Sequence, residues 1–317
     1  MSIDRVATAM QSQYMLAQIN SANAALNTTQ AQVASGNAAS DYTSYGDKTA
    51  ALEAAQSAAS RAGAYKGAAQ AGADQANLQD TQLSTLSSLA DQLRQAVTNA
   101  VANNDGTTLM SSVQGIFDQA VQVLNAQDIN GNYLFGGNNN STPPVTATTL
   151  SALAAAPSVS SIFANGSSPA SVMIGDGQKV TVGVLASDVG TQLMQTIKDI
   201  VGYNSGSNGP LSSALNSTQT GFLSGEIQSS TTASQSINSA LATNGNVYNQ
   251  LTDAVTHQNT LSTLYQGFAS DIKNVDMSTA ITNLNMNQTA LQAALKVTSQ
   301  LNSVSLLNYM GNPTITG

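Results

Sequence analysis

Two rows of apolar residues run down the end of the chain. Met277, Ile281, Leu284, Leu291 and Leu295 form one, and Ala290, Ala294, Val297, Leu301 and Val304 form a second beside it. Steps of three, four or seven stack side chains on one face of an α-helix. No Gly or Pro occurs between Asp271 and Met310, so the pattern predicts one helix of roughly 35–40 residues, some 55–60 Å long. Nothing within that stretch can cover its apolar face. The start of the chain offers a partner. Ile3, Val6, Met10 and Ala17 share one face, while Met15, Ile19, Ala22, Leu26 and Val33 continue a neighbouring one, with no Gly or Pro before Gly36. The pattern predicts that the two ends dock on each other and on other molecules, although chain ends are usually the frayed part of a domain.

Between the ends, proline placement divides the chain. All prolines but Pro313 lie between Pro143 and Pro210. Because Pro breaks helix interiors, this predicts two helical arms around an insertion. In the first arm, after a break at Ser35–Asp47, a helix is expected over Thr49–Asn103, with Leu86, Leu89, Leu93, Val97 and Val101 inward. Asn104-Asp105-Gly106 signals a turn. A third helix is expected over Thr107–Asp128, placing Leu109, Val113, Ile116, Phe117, Ala120 and Leu124 inward. Tyr133-Leu134-Phe135-Gly136-Gly137 reads as a strand or packed turn at a boundary. Residues 138–170 read as loops and short strands. Val172-Met173-Ile174 and Val180-Thr181-Val182 flank Gly175-Asp176-Gly177, a strong hairpin signal. The second arm opens with a short helix carrying Val189, Leu193, Ile197 and Ile200. Leu211–Asp271 then reads as mostly helical, with a break at Asn244-Gly245-Asn246 and an inward stripe of Val247, Leu251, Val255, Leu261, Leu264 and Phe268.

Composition narrows the functional classes. With 317 residues the chain can hold two or three domains. Its net charge of -8 argues against a nucleic-acid partner, since phosphate backbones require clustered Lys and Arg. Only 8% of residues are charged, so the surface is built of Asn, Gln, Ser and Thr and steers partners weakly at long range. The absence of Cys excludes disulfide stapling and Cys metal sites. No apolar run approaches the length of a membrane span, and the first residues lack the plan of a cleaved secretory signal. If the protein acts outside the cell, the expectation is export with the N-terminus left in place.

Candidate chemistry is sparse. His257 is the single histidine, and it falls on a polar helical stretch with no second His or Cys to complete a zinc site or a Cys nucleophile. Asp128, Asn130 and Asn132 resemble part of a calcium loop, but the Gly comes too early and no Glu follows at the twelfth position. The acidic residues are scattered singly and nominate no acid–base pair. Gly136-Gly137 and Gly175-Asp176-Gly177 lack the context of a phosphate loop. The chain therefore reads as a non-enzyme without cofactors or metals.

Three stretches carry a family resemblance. Asp271-Ile272-Lys273-Asn274-Val275-Asp276-Met277 is similar to an "IEDVD" opening of a terminal helix, and Ser305-Leu306-Leu307-Asn308-Tyr309-Met310 to an "SLLDYL" ending. Asn130-Gly131-Asn132-Tyr133-Leu134-Phe135-Gly136-Gly137 is close to "NGRYLFGG". Together they resemble the flagellin superfamily, and within it the branch of hook-associated proteins that joins hook to filament. Gly311–Gly317 extends past the usual family terminus and is expected to be disordered. Asp91-Gln92-Leu93-Arg94-Gln95 keeps one Arg where filament flagellins carry an Arg-rich patch read by innate immune receptors.

The resemblance implies a mainly α fold, with long N- and C-terminal helices paired as a coiled coil, a helical bundle and a small inserted β-containing module. Its implied parts are 1–45 with 272–317, 46–137 with 187–271, and 138–186. It implies a structural subunit of the bacterial flagellum, at the hook–filament junction as a ring of copies. The subunit would be exported through the type III apparatus to an extracellular position. Implied partners are further copies in a tube, a neighbouring hook-associated protein, flagellin and an export chaperone, with no nucleic acid and no membrane insertion. The candidate assembly residues are Ile3, Val6, Met10, Ile19, Leu26, Ile281, Leu284, Leu291, Leu295, Leu301, Leu306 and Leu307. A short filament flagellin and a secreted adhesin acting through residues 138–186 are the alternative readings.

Overall fold

The computed structural model describes residues 2–310, with side chains described from Met10 onward except at 302 and 304–310. The chain is mainly helical, with one two-stranded sheet among the described residues. Its helices are α1 (Ser2–Ser35), α2 (Thr49–Asn103), α3 (Leu109–Leu124), α4 (Leu150–Ala155), α5 (Ala186–Ser205), α6 (Ser217–Lys273) and α7 (Met277–Met310). The strands are β1 (Ala170–Gly175) and β2 (Gln178–Val182). The chain divides into two compact units, residues 61–262 and residues 1–60 with 263–317.

The unit of residues 61–262 is a bundle around α2 and α6. The two helices run antiparallel. Lys66 Nζ donates to Asn259 Oδ1 at 2.8 Å, Asn244 Nδ2 to the Ala76 carbonyl at 2.7 Å, and Ser87 Oγ to Asn238 Oδ1 at 2.8 Å. On α6 the sheltered positions Gln219, Leu223, Glu226, Ser230, Ala233 and Ile237 follow alternating steps of four and three. The rhythm continues through Ala240, Asn244, Val247, Leu251, Ala254 and Gln258. That is a heptad seam, and several of its members are polar. The amides among them are used. Gln219 Nε2 donates to the Asn208 carbonyl at 2.8 Å and Gln258 Nε2 to the Ile174 carbonyl at 2.7 Å. Each ties a non-helical segment to the long helix and satisfies a polar group that would otherwise be costly to bury.

The main core joins α2, α3, α5 and α6. Leu86, Leu89, Leu93 and Val97 meet Val113, Phe117 and Leu124 of α3 and Leu193, Ile197 and Ile200 of α5, all buried. Each such side chain contributes about 1.5–3 kcal/mol through removal from water. Leu134 and Phe135 enter the same core, as do Val145, Leu150, Leu153 and Ile162. The Tyr133–Gly137 segment is thus a packed turn, held where Gln79 Nε2 donates to the Leu134 carbonyl at 2.5 Å. Residues 138–170, expected as loops and short strands, instead contain α4 and a short 3-10 turn at Val159–Ile162. The hairpin forms where its sequence signal placed it, pairing Val172 with Val180 and Ala170 with Val182. It lies on a second small core of Ala69, Ala73, Leu251 and Ala254. Gly72 permits this approach, because a Cβ there would sit 3.2 Å from Val172 and 3.3 Å from Leu251. The hairpin tip is anchored as well, with Tyr65 Oη donating to Asp176 Oδ1 at 2.7 Å and Arg61 3.8 Å from the same carboxylate.

Several helix boundaries differ from the sequence reading: α3 ends at Leu124, short of Asp128, and α6 starts at Ser217, after Leu211. α6 is unbroken at Asn244-Gly245-Asn246, because Asn244 occupies a seam position and spends its amide on α2. The expected terminal helix starts later, at Met277, because Asn274-Val275-Asp276 breaks the chain after Lys273.

Candidate assembly interface

The terminal unit pairs α1 with α7. The start of that pairing is built from the connectors at its base. Gly36 adopts φ +71°, a left-handed conformation suited to glycine, and its N–H closes α1 on the Gln32 carbonyl at 2.8 Å. The chain then crosses the α6–α7 break. Val275 N donates to the Gly36 carbonyl at 2.9 Å, and Ala38 N to the Lys273 carbonyl at 2.7 Å. Asp276 caps α7 by accepting from Ser278 N at 2.9 Å and Thr279 N at 3.3 Å. These bonds from Thr279 and Ser278 hold the Asp276 carboxyl below its ordinary range. The motif at Asp271–Met277 therefore has a physical job: it ends one helix, turns the chain and caps the next.

From this base the two helices run antiparallel. On α1 the sheltered positions are Met15, Ile19, Ala22, Leu26, Thr29 and Val33. On α7 they are Ala280, Leu284, Asn287, Leu291, Ala294 and Thr298. Both series step four, three, four, three, four, the spacing of a heptad seam. Asn287 Nδ2 reaches the Ala25 carbonyl at 3.3 Å and Thr29 Oγ1 at 3.4 Å. This puts a polar layer in the middle of a ladder whose other members, apart from Thr298, are apolar, and it sets Leu26 near Leu291 and Val33 near Leu284.

The candidate residues separate accordingly. Ile19, Leu26, Leu284 and Leu291 lie in the seam between α1 and α7, half-buried. Met10, Ile281, Leu295 and Leu301 point elsewhere and are exposed, Met10 at 66% and Leu295 at 51%. The side chains of Ile3, Val6, Leu306 and Leu307, and the tail Gly311–Gly317, lie outside the described residues. Val297 of the second apolar row is exposed too, as are Tyr14, Leu16 and Met286, which the apolar rows do not include. Leu264 and Phe268, expected inward, are exposed as well. Each terminal helix thus has more apolar surface than its partner helix covers. A helix apolar on several sides is made for several neighbours.

Elsewhere the molecule offers little for chemistry. His257 is exposed on α6. The Asp128 carboxylate is occupied by its own turn, accepting from Asn130 N at 2.8 Å and Asn132 N at 2.9 Å. Burial alone would raise that carboxyl, but the bonds from Asn132 and Asn130 prevail and lower it. A cleft of about 490 Å3 is lined by Gln92, Gln95, Asn99, Ser111 and Gln119, amides and a hydroxyl with Asp105 at its edge. Among the described residues no group of three His, Cys, Asp or Glu converges on a metal-sized site, and no helix is long and apolar enough to cross a membrane.

The terminal unit is thus a long antiparallel pair of helices that leaves apolar rows exposed. Comparison then places the chain more closely. Residues 227–310, the larger part of α6 and all of α7, match the bacterial flagellin C-terminal helical region. The fold is similar to a solved structure from Vibrio parahaemolyticus described as a flagellar hook-associated protein. The two are 14% identical over 70% of this chain and 96% of that one, with a TM-score of 0.56. A crystal structure of Bacillus cereus FlgL is also similar, at 14% identity over 70% of this chain and 98% of that one, with a TM-score of 0.49. No curated protein matches the sequence.

Proposed function

We propose that this chain is a structural subunit of the bacterial flagellum that joins hook to filament as a ring of copies. The observation that carries the reading is the match of residues 227–310 to the flagellin C-terminal region, on helices that keep Ile281, Leu295 and Leu301 exposed beside a filled seam. In this reading α1 and α7 pair as a coiled coil in the innermost layer of a tube. Met10, Ile281, Leu295 and Leu301 meet neighbouring copies, together with Ile3, Val6, Leu306 and Leu307, while Ile19, Leu26, Leu284 and Leu291 hold the pair itself. Residues 1–45 and 272–317 form that inner layer. Residues 46–137 and 187–271 form the surrounding bundle, and 138–186 the outer module. Burial of apolar surface at about 25 cal/mol per Å2 becomes available to the outward rows only when neighbours are present. Export through the flagellar type III apparatus with an uncleaved N-terminus, escorted by a chaperone, would deliver the chain to its extracellular place. Its neighbours would be a further hook-associated protein and flagellin, and it would perform no catalysis.

Labelled antibody on intact cells tests the role. One spot near the hook supports a junction subunit. Labelling along the filament would make the chain a propeller flagellin, and diffuse surface signal would favour an adhesin.

A further inference from the structure

The α5–α6 interface contains a carboxylate pair that assembly does not use. Tyr203 of α5 stacks on Phe222 of α6 with ring centroids 3.9 Å apart and 9° between planes. One turn along, backward on α5 and forward on α6, lie Asp199 and Glu226. The next turn brings Thr196 and Ser230, both fully buried. Glu226 is 8% exposed, and its Oε2 atom has no hydrogen-bond partner. The hydroxyl of Ser230 donates to the Glu226 backbone carbonyl at 2.8 Å. Asp199 Oδ1 accepts from Gln195 Nε2 at 2.8 Å. Among the described residues no ion pair joins a cation to the pair. Lys198 of α5 donates to the Ala156 carbonyl, Arg94 of α2 lies 3.6 Å from Asp91, and Asp118 of α3 accepts from Gln114 on the exposed side of its helix.

A buried carboxylate with an orphaned oxygen and a like charge one helix away is expensive to keep ionised, and a proton is the smallest ligand that relieves both costs. We infer that Asp199 and Glu226 form a proton-binding pair inside the bundle, with Glu226 as the group that takes the proton. A proton taken from water by Glu226 Oε2 converts that oxygen from an unpaired acceptor into an O–H donor beside the Asp199 carboxylate. The charge of the pair falls from two negatives to one. Burial is the main cause holding the Glu226 carboxyl above its ordinary range. The charge of Asp199 adds to it, and the Ser229 hydroxyl opposes it.

The consequence for stability has a definite sign. The folded chain binds this proton at pH values where the unfolded chain has already released it. Stability therefore declines as pH rises from the ordinary carboxylate range through the raised value. Three exposed carboxylates act oppositely: Asp41 at the start of the 3-10 helix Tyr42–Lys48, Asp105 in the turn before α3, and Asp276 at the cap of α7. Hydrogen bonds lower them, so their contribution is lost only as pH falls below the ordinary range.

The test uses the full chain, with thermal unfolding midpoints measured from mildly acidic to mildly alkaline pH. The wild type should lose stability across that range. Glu226→Gln keeps the shape, cannot ionise, and should be flatter and more stable at the alkaline end. The difference between the two isolates Glu226 from His257. As pH rises through the ordinary carboxylate range, the infrared carbonyl band of a protonated carboxyl should persist further in the wild type than in Glu226→Gln. Should that variant fold poorly, Asp199→Asn removes the like charge and should raise the neutral-pH midpoint. Superimposable pH curves for wild type and Glu226→Gln, an infrared carboxyl band that disappears at the same pH in both, or a lowered midpoint for Asp199→Asn would overturn the assignment.

Discussion

The bundle of residues 61–262 and the terminal unit differ in what a single copy can bury. In the bundle, large side chains such as Phe117, Phe135, Leu93 and Leu193 are removed from water within one chain. In the terminal unit the sheltered positions form one narrow seam, and Met10, Tyr14, Leu16, Ile281, Met286, Leu295 and Val297 stay exposed. The two regions have the same kind of secondary structure and similarly low charge. What separates them is the number of faces that are apolar. One apolar face per helix is satisfied by one partner, whereas several require an assembly. Local stability varies across a protein with the density of buried apolar contacts, so the terminal pair should be the first part of the monomer to open.

The comparison can be sharpened by substitution. The largest effect should come from Phe117→Ala, which removes a fully buried ring from the main core and should destabilise the bundle by about 3–5 kcal/mol in denaturant unfolding. Deleting Asp271–Met310 should leave that bundle transition in place while abolishing incorporation into filaments. Normal filament attachment by the truncated chain would break the contrast. Leu291→Ala removes a half-buried seam residue and should loosen the α1–α7 pair by about 1–2 kcal/mol, below the range for fully buried leucines, as read by proteolysis of the termini. Leu295→Ala, on an exposed face, should leave monomer stability within about 0.5 kcal/mol yet impair assembly. The smallest effect should be that of Asp276→Asn, which keeps a capping side chain at the start of α7 and removes its charge. Its helix should persist where Asp276→Ala frays it, and circular dichroism of the wild type and Asp276→Asn should converge at low pH, as the native Asp276 protonates and loses its charge.

Much of this organisation is legible in the sequence, and the exceptions have causes. The second half of the helix Thr49–Asn103 and the inward residues of α3 and α5 stand out because their apolar positions are large and regularly spaced, whereas the first half of that helix is Ala-rich and weakly patterned. The α6 seam does not, because Gln219, Glu226, Ser230, Asn244 and Gln258 occupy positions that a hydrophobic count treats as surface. The same masking turned Asn244-Gly245-Asn246 into a false break. On α7 the row Met277–Ile281–Leu284–Leu291–Leu295 mixes two faces. Periodicity identifies Leu284 and Leu291 as apolar, but it cannot say that Ala280, Asn287 and Ala294 complete the intramolecular seam. The polar layer of Thr29 and Asn287 is visible only once the two ends are side by side. The Asp199–Glu226 pair likewise requires two helices to be placed in register.

The most direct measurement is backbone hydrogen exchange over α1 and α7, first in the isolated full chain and then in assembled material. The account predicts fast exchange in the isolated termini beside a protected bundle, and strong protection of both terminal helices after assembly. Terminal helices already as protected as the bundle in the isolated chain, and unchanged on assembly, would contradict it.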